Sequence, residues 1–284
     1  LNVWGAEDGR RLFAFYGHVA VNEVAFSTDG KTVVTAGSEG KVKLWSADDG
    51  HELLSLPQAP GPTYSACFSP DGSRIASTFG WGAKAWDAQT GAEILTLIDE
   101  PRRVRSVTFS PDGRWILTAS GARTARVWNA NDGHPRITLA GHTHIVVAAA
   151  YSPDGKRIVT GSQDLSAKIW DAATGQELLT LSGHKGVVSS VAFSPDGQRL
   201  VTGSGDGTAR IWTAARPEQV AVWKQNQLRV SNRPRAPQPR LALETGSISP
   251  SSPLAPGLIT RWLVLAPIPV PALDPVAVLA QEQI

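Results

Sequence analysis

The sequence contains very little cysteine, no methionine and almost no net charge. One cysteine, Cys67, excludes an internal disulfide framework and leaves no cysteine-based zinc site. A formal net charge of +2 over 284 residues gives no electrostatic reason to expect nucleic acid or an anionic membrane surface as a partner. We therefore expect no nucleic-acid or membrane partner and, by default, a reducing, cytoplasmic location.

A long uninterrupted hydrophobic segment is also missing. The longest apolar run, 262–273, has 12 residues and contains Pro267, Pro269 and Pro271. A membrane-spanning helix needs about 20 apolar residues, and proline interrupts its hydrogen bonds. The chain starts at Leu1 within a strand-like run and has no signal-peptide pattern, so we expect the sequence to be a fragment.

Tryptophan, glycine and turn-forming residues are abundant, and they recur periodically. Six tryptophans follow one another at intervals of 41, 41, 42, 42 and 42 residues. A turn motif precedes each of the last five: Ser-Thr-Asp-Gly from Ser27, then Ser-Pro-Asp-Gly in four copies. Proline presets φ for the first central turn position, and glycine accepts a positive φ. The periodic tryptophans are Trp4, Trp45, Trp86, Trp128, Trp170 and Trp212.

Between these markers the chain consists of short strand-like segments. In the last repeat, 187–193 alternates apolar and small polar residues, 198–203 runs back after the turn, and 208–212 follows a second turn. A fourth segment follows each tryptophan, as in 176–181. A four-stranded antiparallel sheet cannot bury both faces alone, so the copies must pack on one another, and radial packing produces a propeller. The sequence therefore predicts an all-β propeller of four-stranded antiparallel blades.

The repeat count predicts the domain limits. We expect five complete blades and a partial first one within 1–224, in a ring that stays incompletely closed. The partial blade is 1–16, and the complete blades span about 17–57, 58–98, 99–140, 141–182 and 183–224.

The last part of the chain differs in composition from the repeats. Ten of the 20 prolines lie in 225–284, and five basic residues in 219–243 have no acid between them. We predict a Pro-rich, basic and then apolar tail that is mostly irregular. A basic docking segment, a degenerate blade around 257–264 and a sequence outside its natural reading frame are the alternatives.

The repeat pattern resembles the WD-repeat family. Over 141–212 the chain follows Gly-His, an apolar strand, Ser-Pro-Asp-Gly, Thr-Gly-Ser-x-Asp and a strand that ends in Ile-Trp. The Trp-Asp pair itself occurs at Trp86–Asp87 and Trp170–Asp171. The resemblance covers about residues 1–223, and the near-consensus repeats are similar to bacterial members. It implies a β-propeller that binds other proteins or peptides.

The resemblance also implies a buried hydrogen-bond network in some blades. In this network an aspartate orients a histidine, the histidine meets a threonine hydroxyl, and that hydroxyl meets the indole N–H. Two blades lack it, with Pro62 and Gly80 in one and Arg102 and Ala122 in the other, and we expect both to open more easily. The implied network residues are His142, Thr160, Asp164 and Trp170; His184, Thr202, Asp206 and Trp212; and His18, Thr35 and Trp45, with Glu39 in place of aspartate.

No catalytic constellation is evident in the sequence. Nucleophile-elbow, phosphate-loop and dinucleotide motifs are absent. His142 and His144 are two residues apart, but His142 belongs to the network and His144 has no carboxylate or thiol nearby in sequence. Cys67 lies in an apolar segment and is predicted to be a core residue. We therefore expect no enzyme activity, no catalytic residue, no metal ion and no cofactor.

Propellers of this kind bind partners mostly on the narrow face, at the start of the innermost strand and the end of the second. The resemblance places thirteen positions there, most of them small or apolar, and six of the thirteen are our candidates for partner binding. Tyr64, Phe79, Arg103 and Arg105 on two adjacent blades favour an acidic or carboxylate-bearing peptide, because aromatic and arginine side chains are enriched in binding hot spots. The alternative is that residues 101–105 only form a solvent-exposed blade edge and bind no partner. The candidates are Tyr64, Phe79, Arg103, Arg105, Ile145 and Gln163.

Two functions are consistent with these features. The first is a protein-interaction scaffold or sensor module without catalytic activity. The second is the regulatory propeller of a larger signalling enzyme, such as a Ser/Thr protein kinase. A kinase glycine-rich loop upstream would favour the second.

Overall fold

The computed structural model describes residues 1–57, 61–98, 102–214 and 279–282, and all regular structure in these ranges is β-strand. The strands form one two-stranded half-sheet and five four-stranded sheets, each antiparallel throughout. The predicted all-β fold of four-stranded blades is confirmed. In this part of the chain no helix is long and apolar enough to cross a membrane.

Within each sheet the strands that are neighbours in the chain pair with one another. The half-sheet contains β1 (Asn2–Trp4) and β2 (Arg11–Ala14). Sheet 1 contains β3 (Val21–Phe26), β4 (Thr32–Gly37), β5 (Val42–Ser46) and β6 (Glu52–Leu56). Sheet 2 contains β7 (Ala66–Phe68), β8 (Arg74–Phe79), β9 (Gly82–Asp87) and β10 (Glu93–Ile98). Sheet 3 contains β11 (Val104–Phe109), β12 (Trp115–Ser120), β13 (Thr124–Asn129) and β14 (Pro135–Ala140). Sheet 4 contains β15 (Val146–Tyr151), β16 (Arg157–Ser162), β17 (Ala167–Asp171) and β18 (Glu177–Leu181). Sheet 5 contains β19 (Val188–Phe193), β20 (Arg199–Ser204), β21 (Ala209–Ala214) and β22 (Leu279–Glu282).

The Ser-Pro-Asp-Gly turns join the first two strands of sheets 2 to 5 by local hydrogen bonds, and Ser-Thr-Asp-Gly joins those of sheet 1. In sheet 4 the Ser152 hydroxyl donates to Asp154 (2.5 Å) and accepts from the Arg157 amide (2.9 Å). The Asp154 carboxylate also accepts the Lys156 amide at 3.1 Å. Gly155 has a φ of 69°, a conformation that penalises a Cβ. These side chains satisfy the turn backbone without help from a distant part of the chain.

The hydrophobic core lies between consecutive sheets rather than within any one sheet. Five buried clusters fill the five interfaces, and each contains the periodic tryptophan of the later sheet. Between sheets 3 and 4, for example, Trp170 and Ile158 pack against Leu117 and Val127. Burial of about 25 cal/mol per Å² of apolar surface is therefore available only when neighbouring sheets are in place.

The ring is unclosed in the described residues, and the half-sheet leaves part of sheet 1 bare. Val24 and Phe26 are 44% and 57% exposed, whereas their equivalents in sheet 3, Val107 and Phe109, are 3% and 6% exposed. In sheets 2 to 5 the inner strand packs against the first two strands of the preceding sheet. The half-sheet has only the equivalents of a third and fourth strand, so nothing in the described chain covers Val24 and Phe26.

The outer edge of sheet 5 differs from the expectation. Its fourth strand is Leu279–Glu282, which pairs antiparallel with β21, although the sequence placed that strand before residue 224. The edge of β21 offers backbone donors and acceptors that any extended segment can satisfy, so sequence proximity does not decide its partner. The limits of the domains stay predictions. The tail proposed for 225–284, apart from 279–282, lies outside the described residues.

Candidate functional site

The implied polar network is assembled in sheet 4. The Trp170 indole N–H donates to the Thr160 hydroxyl at 2.8 Å, and that hydroxyl lies 2.7 Å from Nε2 of His142. Nδ1 of His142 lies 2.8 Å from the Asp164 carboxylate. The threonine and tryptophan come from β16 and β17, and the other two residues from the loops at one end of those strands. All four polar groups are thus paired at the interface of loops and sheet.

The protonation states follow from burial and from these contacts. Burial lowers the pKa of His142, so the neutral imidazole donates from Nδ1 to Asp164 and accepts the Thr160 proton at Nε2. Burial opposes ionisation of Asp164. Hydrogen bonds from the Ser166 hydroxyl, His142 and the Thr143 amide nevertheless lower its pKa to about 2. The network therefore has a continuous direction of donation from indole to carboxylate.

Sheets 5 and 1 repeat this arrangement. In sheet 5 the distances are 3.0 Å from Trp212 to Thr202, 2.8 Å from Thr202 to His184 and 3.0 Å from His184 to Asp206. In sheet 1 the Trp45 indole donates to Thr35 at 2.8 Å, and Thr35 lies 2.7 Å from His18. His18 in turn contacts Glu39, the residue that replaces aspartate.

In sheets 2 and 3 the described residues contain the inner end of the network, the bond from indole to hydroxyl. The Trp86 indole donates to Ser77 at 2.9 Å, and the Trp128 indole donates to Thr118 at 2.8 Å. The residues that replace the histidines have no imidazole to continue the chain of bonds. That these two sheets open more easily stays a prediction.

Acidification is expected to destabilise the protein through this network. His142 has a lowered pKa in the folded state. Its contribution to the free energy of unfolding is therefore lost as the pH falls below its pKa in the unfolded state, which is about 6.5. The Asp164 contribution is full above its ordinary pKa of 3.8 and is lost as the pH falls towards about 2. We expect the urea midpoint to fall from pH 7 to pH 3, and to fall less in the Asp164→Asn variant. An identical pH dependence in both proteins would contradict this assignment.

The structure brings three of the six predicted partner-binding residues into one cluster, which we call the tyrosine–arginine cluster. The Arg105 guanidinium carbon lies 4.3 Å from the centre of the Tyr64 ring, and Arg103 donates to the Tyr64 hydroxyl at 3.2 Å. Arg103 is exposed, and Tyr64 and Arg105 are half-buried. Among the described residues neither guanidinium has a carboxylate partner. The cluster thus presents two positive charges on one aromatic ring.

The other three predicted residues lie elsewhere. Phe79 packs against Lys84, whose ammonium nitrogen is 5.6 Å from the ring centre. Ile145 and Gln163 adjoin each other in sheet 4, where the Gln163 amide donates to the Ile145 carbonyl at 2.9 Å. Both are half-buried.

Sequence reasoning missed one residue that positions the tyrosine–arginine cluster. The Thr78 hydroxyl accepts the backbone amides of Tyr64 (2.9 Å) and Ser65 (3.1 Å). The equivalent position in the other sheets is alanine or glycine, as in Ala119 and Gly161. A hydroxyl at a position that is otherwise small and apolar was the available signal.

Metal ligands and a reactive thiol are two common elements of catalytic sites. No three His, Cys, Asp or Glu side chains within them are grouped as metal ligands would be. Burial, with a contribution from the Glu23 charge, raises the pKa of Cys67 to about 12, so its thiol is protonated at neutral pH. The described chain therefore offers neither a thiolate nucleophile nor a metal centre.

Comparison with known proteins gives matches along the repeats. The family model "WD domain, G-beta repeat" matches residues 9–46, 92–129, 133–171 and 175–213. An uncharacterized WD repeat-containing protein of Synechocystis is 36% identical over 77 residues, which is 26% of this chain and 22% of that protein. Periodic tryptophan protein 2 homolog of Dictyostelium discoideum is 33% identical over 75 residues, 26% of this chain and 8% of the relative. Eukaryotic translation initiation factor 3 subunit I of Scheffersomyces stipitis is 31% identical over 75 residues, 26% of this chain and 21% of the relative.

These matches establish the family, but they are too short to transfer the functions of the whole relatives to this chain. The aligned part spans no more than about a fifth of each relative's length. None of the three is named as a kinase, so the kinase-linked alternative gains no support from them. WD-repeat proteins generally act in protein–protein interaction. The four matched segments cover more than half of the 284 residues, and with the sheets described above they show that the chain belongs to the WD40 repeat family.

Proposed function

We propose that this chain is a non-catalytic protein-interaction module that binds carboxylate-bearing segments of other proteins at the tyrosine–arginine cluster. The observation that carries the proposal is the stacking of Arg105 on Tyr64, 4.3 Å from the ring centre, beside the exposed Arg103. Stacking holds one guanidinium in place and leaves its N–H edge available for a forked hydrogen bond to a carboxylate. A preorganised arginine loses less side-chain entropy on binding than a mobile one.

The backbone beneath the cluster supports a docking role. Tyr64 is held by the Thr78 hydroxyl, and the Arg103 carbonyl accepts the Gly121 amide at 2.9 Å. The two arginines flank the buried Val104 at the start of β11, so the strand positions them. A backbone held in this way reduces the conformational freedom that binding would otherwise remove. The cytoplasmic location remains a prediction.

The test is binding of an acidic peptide to charge-reversed proteins. We expect wild-type protein to bind a fluorescein-labelled hexaglutamate peptide more tightly than hexalysine, with an affinity that falls as salt is raised. The Arg103→Glu/Arg105→Glu variant is expected to lose at least about tenfold in affinity, since charge-assisted hydrogen bonds contribute about 1.5–3 kcal/mol each.

A matched control separates the cluster from bulk charge. Arg114→Glu/Lys156→Glu makes the same change in net charge at two exposed residues next to the Ser-Pro-Asp-Gly turns, beyond the opposite ends of the inner strands. Affinity capture from a lysate of the source organism, with both variants, then asks whether natural partners follow the same surface. Recovery of the same partners and peptide by the cluster variant would show that the proposed surface is wrong.

A further inference from the structure

One side-chain position seals the interfaces between consecutive sheets. It is the second residue after the glycine of each Ser-Pro-Asp-Gly turn, or of the Ser-Thr-Asp-Gly turn in sheet 1, at the start of the second strand. In sheet 2, Arg74 reaches sheet 3 and donates to the Ala130 carbonyl at 2.7 Å. In sheet 4, Arg157 reaches sheet 5, donates to the Gly197 carbonyl at 3.0 Å, and lies 5.3 Å from the centre of the Phe193 ring.

Sheet 3 uses a tryptophan at the same position. Trp115 packs against the core between sheets 3 and 4, and the Arg136 guanidinium lies 4.2 Å from the centre of its ring. Three interfaces are thus filled by a large side chain from the earlier sheet.

The interface between sheets 1 and 2 lacks this side chain. Its equivalent residue is Thr32, which is too short to cross, and a groove of about 740 Å³ lies there. The groove is lined by Phe68, Gly72 and Ala88, which are the equivalents in sheet 2 of Phe193, Gly197 and Ala130. The interface between sheets 1 and 2 therefore has the phenylalanine ring and the two backbone positions that contact an arginine in other interfaces, but it has no arginine of its own.

The adjacent turn adds to the open space. In later interfaces the turn proline packs over the next turn glycine, and a Cβ on Gly155 would lie 3.7 Å from the Pro111 ring. In sheet 1 the proline is replaced by Thr28, and a Cβ on Gly72 would meet no neighbouring atom within 4 Å.

The mouth of the groove is negatively charged. Asp29 and Asp71 both line it. The hydroxyls of Ser27 and Ser69 donate to these carboxylates and lower their pKa values, so both are ionised at neutral pH. Beside them Leu53 is 49% exposed and offers an apolar contact to the chain that carries an entering side chain.

We propose that this groove is a docking site for an arginine side chain on a peptide segment of a partner protein. The side-chain stem lies over Phe68, and the guanidinium donates to the backbone carbonyls of Gly72 and Ala88. Within the chain, Arg157 makes the equivalent of the first bond and Arg74 the equivalent of the second. A lysine has a compact, strongly hydrated charge and cannot fork between two carbonyls. This site is separate from the tyrosine–arginine cluster, and its failure would leave the proposed function untouched.

The experiment is a titration of ¹⁵N-labelled full-length protein with acetyl-Gly-Arg-Gly-amide, followed by amide chemical shifts. Shifts are expected at Gly72, Ala88 and their neighbours. The citrulline peptide, which has the same shape without the charge, is expected to bind at least about tenfold more weakly, as is the lysine peptide.

Variants that plug the groove provide the decisive comparison. Thr32→Arg introduces the residue of sheets 2 and 4, and is expected to raise the melting temperature and remove the peptide-induced shifts. Thr32→Trp introduces the residue of sheet 3 and serves if the first variant does not fold. Thr32→Ser keeps the groove and should bind as wild type does. The proposal would be overturned if the peptide-induced shifts persisted in both Thr32→Arg and Thr32→Trp, or if no localised shifts were seen. It would also be overturned if the citrulline peptide bound equally well, or if a tryptophan peptide were preferred.

Discussion

Replacing Phe109 with alanine is expected to lower the free energy of unfolding by about 3–5 kcal/mol, whereas the same change at Phe26 is expected to cost less than about 1 kcal/mol. The two residues occupy the same position of the repeat. Phe109 packs in a buried cluster with Val107, Ile116 and Trp128, so its removal leaves a cavity. Phe26 is 57% exposed, and its ring already contacts water over most of its surface.

Urea denaturation, followed by far-UV circular dichroism and by tryptophan fluorescence, measures both losses. Phe109→Leu is the control for ring shape, since it retains most of the buried volume and is expected to fall between wild type and Phe109→Ala. Comparable losses at the two phenylalanines would mean that Phe26 is covered in solution. The description of the inner face of sheet 1 as exposed would then be wrong.

Replacing Thr160 with valine is expected to lower the free energy of unfolding by about 2–4 kcal/mol, and replacing Thr118 with valine by about 1 kcal/mol. Valine keeps the shape of threonine, so packing changes little and the hydroxyl is what is lost. At Thr160 the change leaves both the Trp170 indole and the His142 ring without their buried partner. At Thr118 it leaves only the Trp128 indole.

The third threonine tests whether the effect belongs to the network. Thr202→Val in sheet 5 removes the same pair of bonds, to Trp212 and His184, and is expected to resemble Thr160→Val. Equal costs at Thr160 and Thr118, measured by urea unfolding at pH 7, would show that the histidine adds nothing to the indole–hydroxyl bond.

Local chemistry determined much of the fold from sequence. The interval between tryptophans and the Ser-Pro-Asp-Gly motif predicted strand order, pairing and the four-stranded unit, because turn side chains and alternation act over a few residues. Resemblance to the WD-repeat family placed the network on His142, Thr160, Asp164 and Trp170, and the structure brings these four together.

Only part of the candidate binding site could be predicted from the sequence. The repeat alignment pointed to Tyr64, Arg103 and Arg105, and in the structure both arginines contact the tyrosine. It also grouped Phe79 with them, although that side chain packs on Lys84. Alignment gives the position of a residue on its strand, but the direction of a long side chain depends on its neighbours in space.

What the sequence determined by itself is the identity of the repeating unit; what the tertiary structure decided is how each copy differs from the next. Phe26 and Phe109 occupy the same position of the repeat, yet one is exposed and the other buried, because burial depends on which strands lie across the interface. Thr32 leaves a groove only because Gly72 and Ala88 of the next sheet line the space that it fails to fill. Turn geometry is set by bonds within a few residues, whereas exposure and cavities are set by residues about 40 positions apart that only the folded chain brings into contact.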